Sequence, residues 1–371
     1  MSPLPDSPLS LAVRLPPTRL ASVMALATAL LVAGCATAPA PSADVTVSPV
    51  LPSVVVPAPV VDTPEQAALK ARVALQDRLY RVAAPLLVKN PDLCKGNARK
   101  LLGFTAKNKY SFTPEFVDAA ERSFGLGERL HIMSVLAGSG AANAGVRPGD
   151  ILVSVDDKAM PQGPNAERLA AGILGPLVNG RDRVRLSLQR NGAGVSPTVP
   201  LTMACAFAIE LGNADNVNAY SDGHRVMVTR GMMNVTRSDT ELAAVIAREM
   251  AHSALGHATR LRMSATLGSI IDNLIRIHPD LATMGGMAGV KPFAQDVDAA
   301  ADTLSLYMLA RAGYDVDAAR NFWQQLATQY PATALTSYTA IHPSTAFRMS
   351  VMDKIVPQVK TKLAIGAPLS P

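Results

Sequence analysis

The sequence predicts an α+β protein in which a small β-rich domain precedes a mainly helical one. Three observations support this fold class. Residues 138–155 pass from a short run of small residues through a Pro-Gly-Asp turn into an alternating strand. Ser238 and Glu241 have the spacing of a capping box and predict the start of an apolar helix. A later helical stretch ends at Gly313, a residue type that commonly terminates helices.

Length and composition are those of a globular protein with more than one buried core. The chain has 371 residues, of which 49% are hydrophobic and 17% charged. Its net charge of +6 is scattered along the sequence, and only 4% of the residues are aromatic. Because no block of Lys and Arg is interleaved with aromatic residues, we predict no nucleic-acid partner.

Residues 1–34 have the pattern of a secretory signal peptide. Arg14 and Arg19 precede an apolar run of about a dozen residues, and small residues follow it. The Val-Ala-Gly-Cys sequence that ends at Cys35 resembles a bacterial lipobox, which implies that Cys35 is lipidated. An ordinary signal peptide with a chance cysteine is the alternative. We predict a lipoprotein of the cell envelope that faces the periplasm from the outer membrane.

Residues 35–64 and 65–95 are predicted to connect this anchor to the folded body. The first segment is rich in Ala, Pro and Val and almost uncharged, which is typical of a semi-extended tether. The second contains the apolar spacing of an amphipathic connector helix.

Cys94 and Cys205 are the two cysteines that remain when Cys35 is set aside. Neither has the close cysteine or histidine that a metal or redox motif needs. An oxidising compartment favours a disulfide between them, and two free buried thiols are the alternative.

Residues 96–204 form the predicted β-rich domain. The turn and strand at residues 138–155 resemble the core of bacterial PDZ domains. Upstream, four residues resemble the PDZ loop whose backbone N–H groups bind a peptide's C-terminal carboxylate: Leu101, Leu102, Gly103 and Phe104. The resemblance implies binding of peptides or unfolded envelope proteins. A domain that only packs against its neighbour is the alternative.

Residues 205–371 form the predicted helical domain, whose first long helix contains Arg248, Glu249 and His252 in the pattern Arg-Glu-x-x-His. In HExxH zinc peptidases, two histidines on one helix face bind zinc and the glutamate activates the metal-bound water. A guanidinium keeps its proton and has no lone pair to offer, so Arg248 is excluded as a zinc ligand.

The motifs of this domain, in order, resemble the HtpX/Oma-like gluzincin metallopeptidases. They are an Asn-Ala-Tyr segment with Val-Thr-Arg-Gly, the helix with Glu249 and His252, Asp302, an Ala-Gly-Tyr-Asp turn, and His-Pro-Ser near the C-terminus. The resemblance covers about residues 206–356 and implies a zinc endopeptidase fold. It also implies a third zinc ligand in a Glu-Ala-Asp triplet, and counting back from Gly313 places that ligand at Ala300, which has no donor atom.

Two of the three implied ligands are therefore replaced, at Arg248 and Ala300, and His252 is the one retained. A zinc site needs about three protein ligands, so we expect no cofactor. Glu249 then becomes a vestigial general base. A rebuilt zinc site is the alternative, with His342 and Asp302 beside His252.

Without zinc, the expectation is that the Arg248 guanidinium fills the vacated space. A buried cation needs a carboxylate partner, for which Asp302 and Asp296 are the candidates.

These inferences predict a periplasmic lipoprotein with a PDZ domain and a metallopeptidase-like domain that has lost hydrolysis. This pseudoenzyme would bind peptides or proteins in envelope quality control. An active zinc-dependent metalloendopeptidase with atypical ligands, which degrades misfolded envelope proteins by proteolysis, is the alternative. A purely structural envelope protein is a third hypothesis.

Overall fold

Thr63 begins the fold by capping a 26-residue helix, α1 (Pro64–Lys89). Its side chain accepts a hydrogen bond from the Gln66 N–H, and the Gln66 side chain accepts one from the Thr63 N–H, so two otherwise unpaired N–H groups at the helix start are satisfied. The computed structural model describes residues 61–257, 295–329 and 345–371. The predicted signal peptide, Cys35, most of the tether and His342 lie outside these ranges.

The predicted connector helix α1 is an integral part of the core. Leu79, Val82 and Leu86 are buried in a hydrophobic cluster with the strands and helices that follow residue 205. Nearer its start, Leu69 is buried in a second cluster with Phe112. The helix therefore stabilises the chain on both sides of the predicted domain boundary.

The β-rich part of the chain is built mainly on one antiparallel sheet. Its elements are β1 (Ala98–Leu101), β2 (Phe104–Lys107), α2 (Val117–Phe124), β3 (His131–Val135), α3 (Gly140–Asn143), β4 (Ile151–Val155), β5 (Lys158–Ala159), α4 (Ala166–Val178), β6 (Arg183–Arg190), β7 (Ala193–Val195), β8 (Thr198–Pro200) and β9 (Thr202–Cys205). The sheet order is β2-β3-β4-β6-β7, with β5 paired to β4 and β8 paired to β6. Strand β2 thus lies at an edge, and α4 shares the sheet's hydrophobic core.

The helical part begins with a three-stranded sheet. Its elements are β10 (Ala208–Gly212), β11 (Ala219–Ser221), β12 (Arg225–Thr229), α5 (Arg230–Val235), α6 (Asp239–Ala254), α7 (Gln295–Arg311), α8 (Val316–Gln329) and α9 (Thr345–Ala364). Strand β12 lies between β10, which is parallel to it, and β11, which is antiparallel. Helix α6 packs against α7, and α7 against α9. Within the described residues, no helix is long and apolar enough to cross a membrane.

A disulfide and side-chain hydrogen bonds from α1 help to hold these parts together. Cys94 and Cys205, the pair expected from the sequence, form a disulfide that joins the segment after α1 to β9. On α1, the Gln76 side chain donates to the Ile209 C=O at 3.2 Å and accepts from the Leu211 N–H at 3.1 Å. Gln76 thus makes the two hydrogen bonds along β10 that a neighbouring strand would make.

Candidate functional site

Helix α6 places the Arg-Glu-x-x-His residues deep inside the protein. Its start is the capping box that the sequence predicts, since the Glu241 N–H donates to Ser238 Oγ and the Ser238 N–H donates to Glu241 Oε2, both at 3.2 Å. Every residue from Leu242 to Ala254 is buried. Any charge on this stretch therefore needs a partner within the protein.

Arg248 finds its partners on α7. Its side chain is 0% exposed, and its Nε donates to Asp302 Oδ1 at 2.8 Å. Its Nη2 donates to Asp298 Oδ1. Because Asp298 and Asp302 are four residues apart on α7, they lie on one helix face and present two buried carboxylates to the guanidinium.

A second buried arginine, Arg348 on α9, binds the same carboxylates. Its Nε and Nη2 donate to Asp302 Oδ2 and Oδ1, each at 3.0 Å, in the two-point geometry favoured by guanidinium and carboxylate. Its Nε also lies 3.8 Å from Asp298 Oδ2. The Trp323 ring of α8 lies 4.4 Å from Arg348 Cζ and 5.6 Å from Arg248 Cζ, which adds a cation–π contribution.

These side chains form what we call the four-charge cluster: Arg248, Arg348, Asp298 and Asp302. Two fixed cations meet two carboxylates, so the cluster is formally neutral. Neutrality matters because an uncompensated charge at this depth is very costly, whereas a paired and hydrogen-bonded one is tolerated.

His252 borders the cluster as a neutral imidazole. Its Nε2 lies 3.4 Å from Asp298 Oδ1, and its ring makes an edge contact with His257, with ring centres 5.5 Å apart. Burial lowers the pKa of His252 to about 4, and the nearby Arg248 cation acts in the same direction. The Asp298 carboxylate opposes this shift but does not overcome it.

Glu249 lies beside the cluster and contacts β11. Its Oε2 accepts a hydrogen bond from Ser221 Oγ at 3.1 Å, and the side chain is almost fully buried. Burial raises the pKa of Glu249 to about 7, although Arg248 and the Ser221 hydrogen bond favour its charged form. Glu249 is therefore only partly ionised near neutral pH.

The structure brings only some of the α7 residues predicted from the sequence into this site. Asp302 lies at the site as the expected partner of Arg248, but Asp296 is exposed and is not a partner in the described structure. Ala300 is also exposed and does not face His252. The α7 residue that reaches His252 is Asp298, because two residues along a helix turn the side chain by about 200°.

Sequence reasoning missed Asp298 and Arg348. The four-residue spacing of Asp298 and Asp302 was the available signal for the first. For Arg348, no sequence pattern indicates which face of α9 packs on α7.

The residues that the structure describes around His252 do not fit a zinc ion. His252 Nε2 and Asp298 Oδ1 are suitable donor atoms, but the Arg248 guanidinium already donates to that same oxygen. A divalent cation would stand beside two arginines, whose charges already balance those of Asp298 and Asp302. In the described part of the chain, no three His, Cys, Asp or Glu side chains are grouped as metal ligands.

The second candidate site is the loop that enters β2. Gly103 has φ of +84°, and a Cβ there would lie 2.5 Å from the Ser139 side chain, so only glycine fits. The Gly103 C=O accepts from the Leu136 N–H at 2.8 Å, which fixes the loop. The N–H groups of Leu102 and Gly103 donate to no other residue in the described ranges. The side chains of Leu101, Leu102 and Phe104 are buried.

Comparisons with known proteins agree with this architecture. Residues 187–356 match the model of Peptidase family M48, and residues 131–172 match that of the PDZ domain. The mitochondrial metalloendopeptidase OMA1 of Arabidopsis thaliana is 31% identical over 137 residues, 36% of this chain and 28% of that protein. The beta-barrel assembly-enhancing protease of Yersinia pestis is 30% identical over 139 residues, 33% of this chain and 29% of that protein.

The chain thus spans less than a third of the length of these two relatives. Among solved structures, the HtrA3 PDZ domain bound to a phage-derived ligand is 17% identical, with a TM-score of 0.22, and the match covers 29% of this chain and 88% of that one. The two matched regions follow the order of the two parts of the fold. The PDZ match runs from β3 into α4, and the M48 match contains all four residues of the four-charge cluster. Residues 187–356 are thus similar to peptidase family M48, and the region that matches the PDZ domain precedes them.

Proposed function

We propose that this protein is a catalytically impaired M48 relative that acts by binding peptides in the cell envelope. The observation that carries the proposal is the position of Arg248. Its guanidinium occupies the place of the first metal-binding histidine of an HExxH helix and is held there by Asp298 and Asp302. Among the described residues, the side chains that remain supply no set of zinc ligands, so the proposal is that hydrolysis by metal-activated water is lost.

The retained Glu249 supports this conclusion. A general base for hydrolysis must reach a water or substrate proton. Glu249 instead accepts a hydrogen bond from Ser221, and its buried carboxyl favours the protonated form up to about pH 7. Its present role is to pack α6 against β11.

The PDZ domain supports peptide binding. Strand β2 lies at the sheet edge, where an extended peptide adds as a further strand, and the Leu102 and Gly103 N–H groups precede it. Backbone N–H groups in such a loop suit a terminal carboxylate. The proposed partners are peptide C-termini or unfolded envelope proteins, and the proposed anchor is a lipid on Cys35.

Zinc content of the full chain tests the loss of hydrolysis. Three proteins are compared with the wild type: Arg248→His, Arg248→His with Asp298→Glu, and Arg248→His with Ala300→Glu. We expect a metal-free wild type that leaves casein intact. We expect the Asp298→Glu combination to bind about one zinc per chain, since residue 298 faces His252.

The Ala300→Glu combination is the matched control, because its new carboxylate is on an exposed position of the same helix. It should bind no more zinc than Arg248→His alone. Stoichiometric zinc in the wild type, with casein cleavage that a chelator abolishes, would contradict the proposal and favour the active-enzyme alternative.

Peptide binding is tested with fluorescent hexapeptides that end in a free carboxylate or in an amide. We expect only the free carboxylate to bind, and Gly103→Ala to weaken binding, since its Cβ would collide with Ser139. Gly125→Ala is the matched control: Gly125 also has positive φ, at +65°, but no atom lies within 4 Å of its Cβ position. Equal binding of both peptide forms would overturn the role of the loop.

A further inference from the structure

Lys107, the last residue of β2, is a buried lysine whose only ion-pair contact among the described residues is a long one. The residue is 7% exposed, and its Nζ has no hydrogen-bond partner in the part of the chain described. The nearest carboxylate oxygen is Glu167 Oε1, at 3.9 Å, which is beyond hydrogen-bonding distance. Burial lowers the pKa of Lys107, because removal from water disfavours the charged ammonium group.

Glu167, in the first turn of α4, is the buried carboxylate that lies near the Lys107 ammonium group. It is 9% exposed, and its Oε1 accepts a hydrogen bond from Ser111 Oγ. Its other oxygen, Oε2, has no partner among the described residues. A buried donor and a buried acceptor thus lie close together, both unsatisfied, which native proteins normally avoid.

Lys107, Glu167 and their charged neighbours together carry no net charge. The electrostatic neighbours of Lys107 are Glu167, Arg72 of α1 and Glu210 of β10. With Lys107 they make two cations and two carboxylates. A charged guest would unbalance the group, whereas a neutral guest that both donates and accepts would satisfy it.

The position of the pair relates it to the proposed peptide site. A peptide added along β2 with its carboxylate at the Leu102–Gly103 turn runs antiparallel to the strand, one peptide residue for each strand residue. Its terminal residue then lies beside Phe104, and the residue three positions earlier lies beside Lys107. The Lys107 and Glu167 side chains meet where the end of β2 approaches the start of α4.

We propose that Lys107 and Glu167 form a polar subsite that selects a carboxamide side chain, glutamine or asparagine, at the fourth residue from the C-terminus of the bound peptide. This inference rests on the proposed peptide-binding function. The amide oxygen accepts from Lys107 Nζ, and the amide NH₂ donates to Glu167 Oε2. A leucine leaves both groups unpaired, and a glutamate is repelled by Glu167.

Fluorescence polarisation of the full chain tests the subsite. The probes are three hexapeptides with free C-termini that differ only at the fourth residue from the end, which is Gln, Leu or Glu. We expect the Gln peptide to bind the wild type about tenfold more tightly than either other peptide, because a site built for hydrogen bonds rejects a ligand that leaves them unmade.

The double variant Lys107→Met with Glu167→Met removes both polar groups and retains apolar bulk, and thermal unfolding verifies that it folds. The Gln preference should vanish in this variant while the Leu peptide still binds. Lys109→Met is the control, since Lys109 lies two residues further along and pairs with the half-exposed Glu121 at 3.4 Å. That variant should keep the wild-type preference.

Equal affinities of the wild type for the three peptides, or a preference for Glu, would overturn the subsite and leave peptide binding intact. A Gln preference that persists in the double variant would also overturn it. If none of the free-carboxylate peptides binds, the proposed peptide-binding function fails, and the subsite fails with it.

Discussion

Replacement of Arg248 by methionine would remove one of the two cations from the four-charge cluster. The variant Arg248→Met retains much of the apolar volume but deletes the donors to Asp298 and Asp302. Arg348 alone then faces two carboxylates that are both 0% exposed. The cluster changes from neutral to a net charge of −1 in a buried environment.

The expected loss follows from that imbalance. Breaking a buried ion pair by removing one partner costs about 3–5 kcal/mol, because the remaining charge is desolvated and uncompensated. The double variant Arg248→Met with Asp298→Asn restores neutrality. We expect it to be more stable than Arg248→Met alone by about 1–3 kcal/mol, the coupling typical of residues in one network.

Urea unfolding followed by circular dichroism measures both quantities. Arg320→Met is the matched control: Arg320 Nε donates to Asp353 Oδ1 at 3.0 Å, but that carboxylate is 55% exposed. A surface pair of this kind contributes about 0–1 kcal/mol. If Arg248→Met is no more destabilising than Arg320→Met, or if Asp298→Asn worsens the Arg248→Met defect, the neutral cluster does not stabilise the fold in the way inferred.

Three further variants test two buried residues beside the cluster and the disulfide. Burial raises the pKa of Glu249 from 4.5 to about 7, so the contribution of Glu249 to the free energy of unfolding should fall by about 3 kcal/mol between about pH 4.5 and 7, and Glu249→Gln should lack this contribution. Burial lowers the pKa of His252 from 6.5 to about 4, which gives a rise in stability from about pH 4 to 6.5 that His252→Gln should lack. Because the two trends oppose each other in the wild type, each is measured as the difference between the wild-type and variant free energies of unfolding, from urea titrations at several pH values. The two difference curves should have opposite slopes against pH, and flat curves would contradict both assignments. Cys205→Ser opens a disulfide whose cysteines are 111 residues apart, and calorimetry should show a loss of about 4–5 kcal/mol; an unchanged melting temperature would refute that stabilisation.

Chemical requirements were easier to predict from the sequence than geometric ones. That a buried Arg248 needs a carboxylate follows from the cost of burying a charge, and Asp302 was among the predicted partners. The fold class and the order of the domains likewise follow from strand alternation and helix capping, which are local signals.

Counting residues, in contrast, did not identify the helix face. Ala300 and Asp302 are two residues apart and point in nearly opposite directions, while Asp298 and Asp302 share a face. Arg348 reaches the site only because α9 packs on α7, and that packing depends on tertiary contacts distant in sequence. The same holds for α1, whose periodicity predicts a helix but not its burial in two cores.

The Gln76 contact with β10 determines where a fragment must begin if the edge of β10 is to stay protected. A strand edge with unpaired N–H and C=O groups is a template on which a second chain can assemble. A fragment cut at residue 187, where the M48 match starts, would lack α1 and leave Ile209 and Leu211 open to such pairing. A piece that keeps both this edge protected and the cap of α1 intact starts near Thr63, so the peptidase-like fold is a discontinuous unit whose first helix lies before the PDZ domain in the chain.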